Sequence, residues 1–353
     1  MKVLIVGAGP TGLTAAVELA RNGVIPTIID KKSAPSDLSK AVGILPNSLE
    51  ILKASGVTEK LVSHGIQLDE VNLYFDNKKV LNLPLSSAHN NHGYVLALPQ
   101  SETEEILRDK LKSLGGCIQF SKEFMSLKQN ENNVTVTYCD GQDEIYDYVI
   151  GADGIRSSVR KILNIDYDGY ELDETWSIAD VIADNWDDNK AFTIYRVNKV
   201  NVVVIAPIGV NRYRIISNTE NALKTLPYKL NILETKREGT FEISVRQAST
   251  YQSNRVFLAG DAAHCHSPVG GRGMNLGIAD AVKLVELILS NQSEKYTESR
   301  HSFAKKVLKE SEEVRKIMTS SSAGKNIITR SALSLCSHVN PIKSKAAKKM
   351  LGL

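Results

Sequence analysis

"KVLIVGAGPTGLTAAVELARNG", residues 2–23, reads as a β-branched strand, a turn carrying Gly7, Gly9 and Gly12, and a helix of small and apolar residues that stops at Gly23. "VIPTIID", residues 24–30, follows as a second strand ending on Asp30, with Lys31 next. Strand, glycine turn, helix and strand are the start of a βαβ unit, and so of a parallel sheet. Glycines spaced G-x-G-x-x-G, with Pro10 and Thr11 between the last two, let backbone N–H groups approach a pyrophosphate at the positive end of the helix. Asp30 is placed to accept hydrogen bonds from an adenosine ribose. The pattern signals a dinucleotide; by itself it fits an NAD dehydrogenase, a flavoprotein or a plain tight turn.

With 353 residues the chain exceeds the usual size of a single core, so a large α/β domain with an inserted sheet is expected. A hydrophobic content of 42% beside 24% charged residues, and no apolar run of membrane-spanning length, point to a soluble protein with cytoplasm as the default location. The glycines at once interrupt the apolar N-terminal run, so it reads as a strand and not as a leader. Cys117, Cys139, Cys265 and Cys336 have no paired spacing, which argues against a disulfide framework and a zinc site; no metal is expected. From Val314 onward there are eight Lys or Arg and no acid, whereas the rest of the chain has 35 basic and 40 acidic residues. The positive charge is thus a property of the tail. Its end, "NPIKSKAAKKMLGL", reads as a solvated helix end ahead of contact with an anionic membrane, and the tail from about residue 314 as a helical cover for the nucleotide domain, since Ile327, Ile328, Leu333 and Leu335 alternate with polar residues and need burial. No stacking motif or reading helix accompanies the charge, so nucleic acid is not an expected partner.

Along the chain, "PNSLEILKASG" reads as a helix and "VNLYFDNKKVLNLPL" as two strands joined at Asp76 and Asn77. "SETEEILRDKLKSLGG" is a helix opened by a capping box of Ser101 and Glu104. "NVTVTYCDGQDEIYDYVIGADG" reads as a hairpin across Asp140 and Gly141 leading to a buried strand. Strand-like runs "AFTIYRV", "NVVVIAP", "RYRIIS" and "FEISVRQ" follow, with one helix-like insert, and form a mostly antiparallel sheet. Strand "RVFLAG" and a helix from about 275 to 290 return to the nucleotide domain. The expected division is 1–70, 97–170 and 253–290 for the nucleotide domain, 71–96 and 171–252 for a substrate domain, and 291–353 for C-terminal helices.

Two further motifs carry chemistry. "DYVIGADGIRSSVR", residues 147–160, puts Asp153 and Gly154 after a strand and Arg156 and Arg160 at the next helix. "GDAAHCHSPVGGRGMN", residues 260–275, puts Gly260 and Asp261 after another strand. Pro268, Gly271 and Gly273 then lead into a helix whose N–H groups suit a partial negative charge. His264 and His266 read as structural hydrogen-bonding residues. Tyr195, Arg196, Tyr213 and Arg214 lie on strands whose alternation would turn only half of them inward, and they receive no role.

In this order and spacing, over about residues 1–290, the three motifs resemble the FAD-dependent aromatic hydroxylases, the para-hydroxybenzoate hydroxylase-like flavoprotein monooxygenases, including tetracycline-inactivating members. The resemblance implies a Rossmann-type FAD-binding domain with an inserted, mostly antiparallel substrate domain and a C-terminal helical segment. It implies that Gly7, Gly9, Pro10, Thr11, Gly12, Asp30 and Lys31 hold the ADP half of FAD, and that Asp153 and Gly154 serve flavin and nicotinamide. Gly260 and Asp261 would bind ribitol, Pro268, Gly271 and Gly273 would lie along the isoalloxazine ring, and N–H groups near Met274 and Asn275 would face its N1 and O2 region. Gln100 matches a flavin-contacting glutamine. Lys40 stands where the family commonly has arginine against the pyrophosphate, a point charge without the bidentate fork.

The implied activity is NAD(P)H- and O2-dependent hydroxylation of an aromatic or polycyclic small molecule through a C4a-hydroperoxyflavin. With only one G-x-G-x-x-G loop, the nicotinamide cofactor would dock transiently near Asp153 and Arg156. The alternatives are a reductase or desaturase of the geranylgeranyl reductase type, which uses the same FAD grip without oxygen insertion, and a non-catalytic FAD-binding protein. No catalytic acid or base is named.

Overall fold

The computed structural model describes residues 1–35, 41–86, 92–268, 270–322 and 340–351. Strand Val3–Val6 pairs in parallel with Thr27–Asp30 on one side and Tyr148–Gly151 on the other. Ile118–Phe120 and Val256–Leu258 extend the parallel sheet, and Gln252–Ser253 adds an antiparallel edge. Leu4, Ile5, Ile28, Val149, Ile150 and Phe257 are fully buried, as expected where helices cover both faces of a parallel sheet. Helix Pro10–Arg21 packs on Gly273–Leu289, which in turn packs on Tyr296–Met318.

The strand order reverses at Val3–Val6, and in such sheets ligands sit beyond the carboxyl ends of the strands at that reversal. Every expected motif lies there. Gly7 follows Val6, Asp30 ends its strand, Asp153 comes two residues after Gly151, and Asp261 three after Leu258.

The second large sheet has seven strands, in the order Ile232–Phe241, Trp176–Ala183, Arg212–Ser217, Asn201–Gly209, Ala191–Val197, Glu70–Phe75, Lys78–Pro84. All neighbours are antiparallel except Ala191–Val197 with Glu70–Phe75. Asp76 and Asn77, both at positive φ, turn the last hairpin as expected. The protein is therefore α/β, a Rossmann-type sheet with an inserted antiparallel sheet and C-terminal helices. Among the described residues no helix is long and apolar enough to cross a membrane.

Four expectations need correction. The helix expected to open with a capping box starts at Gln100, because Pro99 presets the turn one residue earlier. Ser101 falls inside the first turn, and Glu104 instead accepts a hydrogen bond from the Gln100 side chain at 2.9 Å. Strands Trp176–Ala183 and Ile232–Phe241 were not expected, and "FEISVRQ" divides between two sheets after Phe241.

Ile327, Ile328, Leu333 and Leu335, expected to cover the nucleotide domain, lie outside the described residues, and the part of the tail that is described, helix Asn340–Met350, does not cover the nucleotide-binding sheet. Ala347 and Leu351 join Leu81, Leu83 and Leu85 beside strand Lys78–Pro84 at the edge of the seven-stranded sheet. Tyr195, Arg196, Tyr213 and Arg214 are all buried, because both faces of that sheet are covered and alternation selects which cover a side chain meets, not whether it meets one.

Candidate cofactor-binding and active site

Gly7, at φ +106°, accepts no side chain, since a Cβ there would lie 2.4 Å from the Ala152 carbonyl oxygen. The first glycine loop and the middle motif are thus in direct backbone contact. Pro10 opens helix Pro10–Arg21 and Gly9 occupies its N-cap position with no side-chain cap. Asp30 accepts from the N–H of Ala8 at 3.0 Å and of Lys32 at 2.9 Å, so its carboxylate shapes the loop it borders. Lys31 is exposed, 4.0 Å from Glu123. Lys40 lies outside the described residues.

The Asp153 carboxylate turns inward and accepts from the N–H groups of Ser158 at 2.7 Å and Val159 at 3.2 Å. Burial raises its pKa, against the opposing hydrogen bonds from Ser157 and the backbone. Gly154 turns the chain at φ +80°. Arg160 reaches across to the Ala262 carbonyl at 2.8 Å and lies 3.7 Å over the Tyr167 ring, whose hydroxyl donates to the Asp261 carbonyl at 2.9 Å. Through Arg160 and Tyr167 the middle motif therefore holds the backbone of the Gly-Asp motif. Arg156 is exposed.

At Gly260, φ is +62° and an added Cβ would come 2.4 Å from Thr11 Oγ1. We expect Gly260→Ala to cost about 1–2 kcal/mol in backbone strain, with the clash in addition. Thr11→Ala in the same chain should recover the clash alone, as read by urea denaturation. Equal stability of Gly260→Ala and the native protein would contradict this packing.

The Gly260 N–H donates to Asp280 Oδ2 at 3.2 Å, and Asp280 is fully buried between His264 at 2.5 Å and Arg300 at 2.7 Å. His264 is thus structural, as expected. The Asp261 side chain is exposed at the sheet edge.

Beyond Asp261, the N–H of Gly271 closes a turn onto the Pro268 carbonyl at 2.9 Å, and the first intrahelical bond of Gly273–Leu289 runs from Leu276 to Arg272. The N–H groups of residues 273–275 precede that bond. The Asn275 side chain binds three backbone groups: Oδ1 accepts from Leu45 N–H at 2.8 Å, and Nδ2 donates to the carbonyls of Gly43 at 2.9 Å and Gly271 at 2.8 Å. It clamps the glycine loop to the segment before helix Pro46–Lys53. Gln100 Oε1 accepts from Ala41 N–H at 3.3 Å, and so sits beside that same segment.

On the seven-stranded sheet, Arg214 grips Asp180 with two 2.7 Å bonds and donates to the Ala41 carbonyl at 3.0 Å. Burial, then the like charge of Arg214, lowers the pKa of neighbouring Arg237. Nearby, Ala206 and Ile208 pack with Phe192 against Val42, Leu68 and Ala97. The sequence reading assigned no role to this row. Arg214 was visible in "RYRIIS", but its partner Asp180 is 34 residues away on an unread strand.

The sequence family described as FAD binding domain matches residues 1–225 and 207–311. The chain belongs to this family. Among relatives of this flavoprotein, the rifampicin monooxygenase of Streptomyces venezuelae is 32% identical over 301 residues, 80% of this chain and 62% of that protein. An uncharacterised aromatic compound monooxygenase of Bacillus subtilis is 30% identical, over 92% of this chain and 70% of its own length. The flavoprotein therefore spans under two thirds of the first of these relatives.

Of solved structures, the anhydrotetracycline hydroxylase OxyS of Streptomyces rimosus superposes with a TM-score of 0.82 at 27% identity, covering all of this chain and 76% of that one. The p-nitrophenol 4-monooxygenase of Pseudomonas putida gives 0.89 at 19% identity over 99% of this chain and 97% of that one, a likeness of fold. FAD is the cofactor.

The residues present fit that group. Gly9 has an ordinary extended conformation, and a Cβ added to it would meet nothing within 4 Å. The protein's own packing therefore does not require a glycine there, whereas a phosphate approaching the backbone does. Gly271 likewise faces open space.

Proposed function

We propose that this flavoprotein is a hydroxylase that uses NAD(P)H and O2 on an aromatic or polycyclic small molecule, in the cytoplasm. The observation that carries the reading is the convergence of the Gly7, Asp30, Asp153 and Asp261 turns on one sheet edge, beside a sheet of the kind found in aromatic hydroxylases. The names of the relatives support the reaction class. Cys117, Cys139 and Cys265 are free thiols, which supports a reducing compartment. Residues 1–70, 97–170 and 253–290 form the proposed FAD-binding portion, 71–96 and 171–252 the substrate portion, and 291–353 the C-terminal helices.

FAD, when bound, supplies electron transfer from the nicotinamide cofactor and activation of O2. The first glycine loop, with Gly7, Gly9, Pro10, Thr11 and Gly12, takes the diphosphate, while Asp30 and Lys31 border the ribose. Asp261 accepts from ribityl hydroxyls. Asn275 orients the Pro268–Gly273 loop, so that the N–H groups of Gly273, Met274 and Asn275 and the helix end stabilise negative charge on the ring. Phe192, Ala206 and Ile208 close the apolar side against water. With Asp153 turned into the chain, Arg156 is the better neighbour for a transiently docked NAD(P)H.

A flavin reducible at any time would waste reductant, so substrate binding should gate reduction. NAD(P)H oxidation is expected to be slow alone and to rise by roughly tenfold, about 1.4 kcal/mol in barrier, with a true substrate. Stopped-flow reduction over phenols, heterocycles and polycyclic antibiotics, with heavy-isotope O2, tests both statements. Product lacking the isotope would end the hydroxylase reading; equally fast reduction without ligand would end gating alone.

A further inference from the structure

The two faces of the seven-stranded sheet are not closed alike. On one face Tyr195, Val203, Ile205, Tyr213 and Ile215 are all buried, in one cluster with Trp186, Ala222 and Leu230. On the face from which Arg214 reaches the Ala41 carbonyl, register aligns Leu73, Ile194, Val204, Ile216 and Ile178 in one row across neighbouring strands. Leu73 and Ile178, at its ends, are buried. Ile194, Val204 and Ile216, on the three central strands, are only half-buried, and so is Phe192 beside Ile194.

The centre of a sheet lies farthest from its solvent-exposed edges, so surface left open there marks space that the chain does not fill. Side chains at i and i+2 share a face, which puts the Arg214–Asp180 pair alongside this row. An apolar floor with a few polar groups beside it is the composition of a small-molecule site. Neighbouring strands lie about 4.8 Å apart, so the open stretch from Ile194 to Ile216 runs about 10 Å, the length of a small fused-ring system.

The end toward Leu73 is closed by a residue from outside the sheet. Met318, the last residue of helix Tyr296–Met318, is buried in one apolar cluster with Leu73, Ile194 and Val204. Leu45 joins the same cluster, and its N–H is held by Asn275, the residue that clamps the glycine loop. The floor therefore adjoins the cofactor side. Just beyond Met318, the Ser320 carbonyl accepts from Arg196, which shares the sheet face of Ile194 and so ties the helix end to the sheet.

We propose that Met318 is a specificity-determining residue: it ends the chamber floored by Ile194, Val204 and Ile216, and sets the length of the ring system that lies there. The aromatic occupant rests on the hydroxylase reading. Binding without turnover is the test, so its failure and that of the isotope experiment are distinguishable.

Phenol, 1-naphthol and 9-phenanthrol, which carry one hydroxyl on ring systems of increasing length, are titrated calorimetrically into the oxidised holoenzyme and its variants. Met318→Ala is expected to tighten 9-phenanthrol about fivefold or more and to leave phenol within about twofold of its native affinity. Val204→Trp fills the middle of the floor and should weaken 1-naphthol about tenfold or more. Its FAD content and melting temperature should hold, because a side chain that enters open space does not overpack a core.

A melting temperature that falls in Val204→Trp while 1-naphthol affinity holds means a filled face and overturns the proposal. So do equal changes for all three phenols in Met318→Ala, or no change for any. A gain for phenol alone overturns it as well, being the mark of a sealed cavity left by the lost side chain. Native protein that binds none of the three has no such chamber.

Discussion

Asp280→Ala is expected to destabilise the protein by about 3–5 kcal/mol, the usual cost of removing one partner from a buried charge pair. The carboxylate is fully buried and serves three groups at once: His264, Arg300 and the N–H of Gly260. Without it, the Arg300 guanidinium and the Gly260 amide are left buried and unmatched. Burial alone would raise the Asp280 pKa, but His264 and Arg300 outweigh it and hold the carboxyl below its ordinary value.

A carboxyl with a depressed folded value stabilises above its unfolded value, near 3.9, and loses that contribution as pH falls through the folded one. The stability difference between native and Asp280→Ala, measured by urea denaturation, should shrink as acidification takes the pH down through the folded value of Asp280. A difference that grows as pH falls would contradict the pairing. FAD affinity should fall as well, because the turn that presents Asp261 starts at the amide Asp280 holds.

Asp261→Ala acts on the cofactor and not on the fold. A carboxylate accepting from hydroxyls makes charge-assisted bonds worth about 1.5–3 kcal/mol, so the FAD dissociation constant should rise roughly ten- to a hundredfold. The side chain is exposed and the Asp261 backbone is held by Tyr167, so the apoprotein melting temperature should move far less than the affinity. Fluorescence titration of the apoprotein gives the constant directly. An unchanged value would remove Asp261 from the site, and equal losses of stability and affinity would make its role structural.

The nucleotide-binding fold was legible from residue order, because each part of it is local: a strand, a glycine turn and a helix occupy one run, residues 2–23, and a period of 3.6 or 2 is visible within it. The turns after Val6, Gly151 and Leu258 were legible for the same reason. Strands Trp176–Ala183 and Ile232–Phe241 were not, since Ile232–Phe241 is an exposed edge rich in charge and offers no apolar alternation. Nor was the landing place of the C-terminal helix, whose period shows an apolar face but not what covers it.

Which polar side chains meet is a property of the folded chain. Asp280 finds Arg300 across 20 residues, Arg214 finds Asp180 across 34, and Asn275 clamps Gly43 from 232 residues away. Tertiary packing also decided that Asp153 faces its own turn and that His264 Nε2 meets Asp280. The physical reason is that backbone conformation follows from short-range sterics and periodicity. The free energy of a buried polar group instead depends on which partner the folded chain brings within about 3 Å, and a linear sequence does not contain that distance.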